Sequence, residues 1–223
     1  MEAAEHSLPP IEDGHPPAAP SLAVLGRRLA PLTLANDRII PVPGPLGEAL
    51  PDGGLRRGSV IDLEGTPGSG CTSLVLDLVA AVTATGEWAV FLSLDPALRD
   101  VPGTPCAPAA SEAGVVLDRL AVVRDVPRDR WAIVAAALVE GVSLVVADLP
   151  PRVRAADARH LTARARERGS ILVVQGGSWP ERPAVRLCAE GGEWRLAGGR
   201  LEARPLRVAV EGRGRPRRQL LIA

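Results

Sequence analysis

From residue 58 onward the chain alternates between two patterns of apolar residues. Short apolar runs bounded by glycine or proline predict strands, and apolar positions recurring every three or four residues predict helices. "GSVIDLEG" (58–65) is the first such strand, and residues 70–84 follow as a helix with Leu74, Leu78 and Ala81 on one face. "EWAVFLSL" (87–94) is the next strand, followed by a Pro- and Ala-rich loop with a short helix at 108–113 and then the strand "RLAVVRDV" (119–126). Residues 128–140 form a helix with Trp131, Val134, Ala135 and Leu138 on one face. "SLVVADLP" (143–150) is apolar on both faces, as a central parallel strand requires. An arginine-rich helix over 155–168 carries an Ala158, Leu161, Ala165 stripe, and "SILVVQGG" (170–177) is a fifth strand.

After residue 178 the helical period is lost. "AVRLCAE", "GEWRLAG", "PLRVAVEGRG" and "RRQLLIA" alternate between glycine turns and predict short antiparallel strands. The expectation is an α/β fold. Residues 1–37 form a disordered tail with a short helix at 21–30, residues 38–178 form a mostly parallel sheet flanked by helices, and residues 179–223 form a small antiparallel β extension with a basic tail. The first twenty residues are acidic and proline-rich, which suits a solvated tail and not a signal peptide.

Composition sharpens this reading at three points. Apolar residues make up 46% of 223, enough for one sizeable core, but only 2% are aromatic, so Val, Leu, Ile and Ala must fill it. Charge balances at 26 basic against 26 acidic residues, which argues against a nucleic-acid surface spread over the whole protein. Every basic residue is arginine, a bias expected of GC-rich coding. The three cysteines, Cys71, Cys106 and Cys188, are widely separated, so neither a disulfide framework nor a zinc site is expected, and reduced thiols in a cytoplasmic protein are. No apolar run reaches the ~20 residues of a membrane span, so no membrane association is expected.

The chemistry concentrates in "GTPGSGCTS", Gly65, Thr66, Pro67, Gly68, Ser69, Gly70, Cys71, Thr72 and Ser73. A strand, a glycine-rich turn and a helix N-terminus together make a cradle of backbone N–H groups for phosphate. Thr72 supplies the hydroxyl that such loops offer to magnesium. The lysine that normally reaches the outer phosphates is replaced by Cys71, and that loss removes the charge that stabilises phosphoryl transfer. Two readings of Cys71 stand side by side: a thiol made reactive by the helix N-terminus, and a small space-filling residue. Asp148, at the end of a buried strand, is the matching magnesium-linked carboxylate, or the cap of a strand exit before Pro150 and Pro151.

These residues resemble the RecA family, and more closely its diverged ImuA-type branch, over about residues 38–178. "GTPGSGCTSL" stands where that family carries its ATP loop, "FLSLDPAL" puts its catalytic glutamate at Asp95, "LVVADLP" puts its magnesium-linked aspartate at Asp148, and "ILVVQGG" puts its nucleotide-sensing glutamine at Gln175. The resemblance implies ATP and Mg as the only cofactors to consider. Lysine to Cys71 and glutamate to the shorter Asp95 both weaken hydrolysis, and the segment after Gln175 is too short for the family's DNA-binding loop. The C-terminal segment is similar to the actinobacterial ImuA' version.

The implied role is an accessory subunit in DNA-damage-induced mutagenesis, beside an ImuB-type Y-family-like protein and, through it, an error-prone C-family polymerase. The alternatives are a DNA-dependent ATPase and a regulator of recombinase filaments, in which the recombinase itself is the partner. Arg213, Arg215, Arg217 and Arg218 are candidate partner-docking groups; a solvated hairpin turn and DNA-backbone contact are the competing readings.

Overall fold

A computed structural model describes residues 38–94, 106–197, 199–212, 214 and 216–222. The expected tail and helix within residues 1–37 lie outside these residues. The described chain opens with a small hairpin, β1 (Ile39–Pro41) paired antiparallel with β2 (Gly54–Arg56), that brackets helix α1 (Gly44–Ala49). The alternating core follows: β3 (Val60–Gly65), α2 (Cys71–Thr83), β4 (Ala89–Leu94), α3 (Ala107–Glu112), β5 (Leu120–Val126), α4 (Trp131–Gly141), β6 (Leu144–Asp148), α5 (Ala155–Arg168) and β7 (Ile171–Gln175). The chain closes with β8 (Val185–Gly191), the hairpin β9 (Arg195–Ala197) and β10 (Arg200–Ala203), then β11 (Leu206–Gly212) and β12 (Arg218–Ile222). None of the described helices is long and apolar enough to cross a membrane.

Eight strands form one sheet in the order β12–β11–β8–β3–β7–β6–β4–β5. Five of its pairings are parallel, and β11 and β12 complete it in antiparallel fashion. The sheet is continuous across residue 178. β8 pairs antiparallel with β11, as expected, but on its other side it runs parallel to β3, with Leu63 opposite Leu187. Short strands between glycine turns invited a purely antiparallel reading, but such turns are silent on a neighbour distant in sequence.

Two apolar layers sandwich the sheet. On one face α1, α2 and α3 cover Ile61, Leu63, Phe91, Val146, Val173, Leu187, Val208 and Val210. On the other, α4 and α5 cover Leu92, Val145, Ala147, Leu172 and Val174, with Trp131 and Trp179 filling the layer. This second layer stops at β3. Beyond it the same face of the sheet is polar: Asp62 and Glu64 on β3, Arg186 and Cys188 on β8, Glu211 on β11.

Arg186 lies across this boundary, 3.3 Å from Asp62 and 2.9 Å from Glu64. Asp62 is only 2% exposed. Burial and the neighbouring Glu64 push its carboxyl up, while Arg186 pulls it down. Removing one partner of so buried a pair would leave an uncompensated charge.

The C-terminal strands are therefore core elements. Leu206, Val208 and Val210 are buried against α2 and α1, and burying each contributes about 1.5–3 kcal/mol. Together that is comparable to the ~5–15 kcal/mol net stability of a domain. Deleting residues 206–223 is expected to abolish the cooperative thermal transition seen by circular dichroism. A truncated chain that stays soluble and melts like the full one would show β11 and β12 to be dispensable.

Candidate functional site

The glycine loop forms where β3 ends and α2 begins. β3 is apolar and buried up to Leu63, and its chain then turns sharply because Gly65 has no side chain. A methyl group there would run into Ser69 Oγ and Cys71 Sγ, the loop's own atoms folded back on its root. Ser69 N–H donates to Thr66 O at 2.9 Å and closes the turn. Gly70 enters α2 at φ +104, a left-handed conformation costly for other residues. The first turn of α2 carries no acidic residue and no side-chain cap, so its N–H dipoles still favour negative charge.

Inside this cradle the lysine position holds a buried thiol. Cys71 is 7% exposed and its Sγ lies 3.4 Å from the equally buried Ser69 hydroxyl. That placement suits the space-filling reading of Cys71. Thr72 and Ser73 are exposed on the first turn.

The loop is also gripped from the C-terminal side. A Cβ on Gly70 would collide with the Leu206 side chain at 2.6 Å, and one on Gly65 would come within 3.1 Å of Ala189 O. Gly191, at the end of β8, lies against Ser69. Arg204 sits at the root of the β9–β10 hairpin beside Gly191, donates from Nε to Gly192 O at 2.9 Å, and stacks over Trp194. Sequence reasoning missed Leu206 and Arg204. They lie more than a hundred residues from the loop, and the one local signal of close approach was the Gly191–Gly192 pair.

Asp148 and Gln175 come together. They are direct partners at the carboxyl ends of β6 and β7, while Gln175 is opposite Leu63 of β3, so loop, glutamine and carboxylate occupy one end of three adjacent strands. Gln175 Nε2 donates to Asp148 Oδ1 at 2.9 Å, and its own buried Oε1 has no donor. Burial drives the Asp148 carboxyl up to about 6, against hydrogen bonds from Gln175, the Ser93 side chain and the Leu94 backbone.

A magnesium nucleotide would need a cation in the loop and an ionised, accessible carboxylate. Here the first is a buried thiol, and the second is buried, drawn toward its neutral form and already engaged by neighbours. The residues do not fit that ligand. Among the described residues no group of three or more His, Cys, Asp or Glu side chains could hold a metal.

The remaining expected site residues separate. Asp95, Arg213 and Arg215 lie outside the described residues. Arg217 is engaged within the chain, 3.0 Å from Glu190 and 3.7 Å from Glu211. Arg218 opens β12 and is exposed.

A family model described as the MT3502 N-terminal domain matches residues 48–181, from α1 to the segment after β7. The chain is also 35% identical to the uncharacterized protein Rv3395c of Mycobacterium tuberculosis, over 96% of this chain and 100% of the relative. The chain belongs to the MT3502 N-terminal domain family.

Two outcomes test this geometry. Because folding raises the Asp148 pKa from 3.8 to about 6, the folded state binds the proton more tightly than the unfolded chain does. Its stability is favoured below pH ~4 and declines as pH rises through 6, by about 3 kcal/mol in all. Denaturant unfolding of wild type and Asp148→Asn between pH 4 and 7.5 is expected to show the difference shifting toward the Asn variant by up to that amount. A pH-independent difference would place the ordinary carboxylate pKa at this site.

Native alkylation followed by mass spectrometry is expected to label exposed Cys106 first. Cys188 should lag because burial and Glu64 push its thiol up to about 11, and Cys71 because it is buried. Preferential labelling of Cys71 would restore the reactive-thiol reading.

Proposed function

We propose that this protein is a non-catalytic, RecA-like accessory subunit of a DNA-damage-induced translesion assembly, an ImuA-type adaptor. Its partner is an ImuB-type Y-family-like protein, and an error-prone C-family polymerase is reached through that partner. The observation that carries the reading is the buried thiol of Cys71, packed against Gly65 and Ser69 where a catalytic loop would hold its cation.

Strand order supports the RecA-like part. β7, which ends in Gln175, is inserted between the strand of the loop and the strand of Asp148. That arrangement sets the loop and the carboxylate on either side of a polar side chain at the carboxyl edge of a parallel sheet, where α/β folds bind ligands. The adaptor part is supported by the buried thiol in the lysine position of the loop and by a carboxylate that is buried and already engaged by Gln175. Fold resemblance alone does not assign an activity, and the degenerate loop favours the adaptor over the ATPase.

Calorimetric titration of the full chain with magnesium ATP is expected to show no saturable binding up to millimolar concentration. Co-purification with the ImuB-type protein is expected to survive Asp148→Ala. Stoichiometric ATP binding, with turnover lost in Asp148→Ala, would replace the adaptor with the ATPase reading. Failure to co-purify, together with direct binding to the recombinase, would favour the filament regulator.

A further inference from the structure

The sheet ends differently at its two margins. At one margin, β5 pairs with β4 through a register shift between Leu92 and Leu94, and Asp125 takes a left-handed conformation at φ +57. Arg124 and Asp125 are exposed there. Bulges and charges of this kind blunt an edge against further pairing.

The other margin has neither a register shift nor a left-handed residue in its edge strand. β12 pairs with β11 in unbroken register from Leu206–Ile222 to Val210–Arg218. It contains no proline and no glycine, and its backbone makes no hydrogen bond outside that pairing among the described residues. Its apolar residues are also incompletely covered: Leu220 and Ile222 reach the core layer yet stay half-buried, and Leu221 on the opposite face is 59% exposed. One more strand laid alongside would cover all three.

Charges of both signs lie around this edge, and two of the cations make no ion pair among the described residues. Arg218 begins the strand and Arg207 faces Leu221 from β11; both are exposed, and neither makes an ion pair among the described residues. The nearby carboxylates Glu190 and Glu211 are already taken up by Arg217. An incoming segment would therefore meet backbone donors and acceptors unpaired among the described residues, three part-covered aliphatic side chains and two guanidinium groups without an ion pair among those residues.

We infer that the open edge of β12 is a docking strand, and that its occupant is an extended aliphatic and acidic segment of a partner protein, added as a ninth strand of the sheet. Main-chain hydrogen bonds give such augmentation its affinity, and side chains on alternate positions give it specificity. Acidic residues in the added strand would pair with Arg218 and Arg207, making the contact sensitive to salt. The inference rests on the adaptor reading for the identity of the partner and goes beyond it in naming the surface and the mode.

The test is hydrogen exchange on the full chain, alone and saturated with the ImuB-type protein, alongside affinity measurements on Leu221→Lys. That position is exposed, so the variant is expected to fold and melt like wild type. Amides within 218–222 are expected to exchange at least tenfold more slowly in the complex, and Leu221→Lys to bind at least tenfold more weakly, with wild-type affinity falling as salt is raised. Binding that leaves 218–222 unprotected and tolerates Leu221→Lys would overturn the edge inference and leave the adaptor reading standing. Absence of any binding would overturn both. Concentration-dependent protection of 218–222 in the chain alone, with a dimer in sedimentation, would make a second copy the occupant and overturn the assignment to a partner.

Discussion

The double parallel pairing of β3 is the constraint on which the rest depends. β3 lies between β7 and β8, with Leu63 opposite Gln175 on one side and Leu187 on the other. Its apolar residues serve both layers, Val60 facing α5 and Ile61 and Leu63 facing α2. Such a strand has no free edge and no free register: a slip of one residue would put Asp62 into the aliphatic layer and Leu63 among charges. Fixing β3 fixes where the glycine loop leaves the sheet, which side chain of β7 stands beside it, and where β8 must run.

That constraint explains why a loop can keep its shape while losing its chemistry. In a nucleotide site the loop geometry serves a ligand. Here the same geometry is used by protein atoms: Leu206 fills the space that Gly70 leaves open, Ala189 lies against Gly65, and Cys71 packs inside the turn. The glycines are required because β8 and β11 approach so closely. A larger residue at Gly70 would have to displace a core leucine as well as adopt a left-handed conformation. Asp148 and Gln175 follow the same logic: buried side by side, they satisfy one another in part, and the carboxyl moves toward its neutral form because water has been removed from it.

The sequence was most legible where local pattern and burial coincide. α5 was read with both its ends correct, since its apolar stripe is clean and Gly169 takes the left-handed cap that stops it. β6 and β7 were read within two residues of their ends because they are apolar on both faces. The loop was legible from its glycines, and the places of Asp148 and Gln175 at strand ends from the apolar runs before them, though their contact was not. Strand partners beyond residue 178 were not legible. β8 and β11 show one buried and one polar face, a pattern common to parallel and antiparallel neighbours, and the choice is made by β3 more than a hundred residues away. The contacts of Leu206 and Arg204 with the loop region were hidden for the same reason.

An arginine-only chain also ties the loop to the outer sheet. Arg186 reaches Asp62 and Glu64, Arg217 reaches Glu190 and Glu211, and Arg57 holds Glu87 through two nitrogens at 2.8 and 2.5 Å. A planar guanidinium has the fork to address two oxygens, or two carboxylates on neighbouring positions, where a lysine ammonium acts as a point charge. Those bridges let the polar half of the sheet bury Asp62 without a helix above it. The loop asks for the opposite kind of cation, a compact one on a thin stem that can pass between Gly65 and Ser69. In this chain Cys71 stands there, packed beside Gly65 and Ser69.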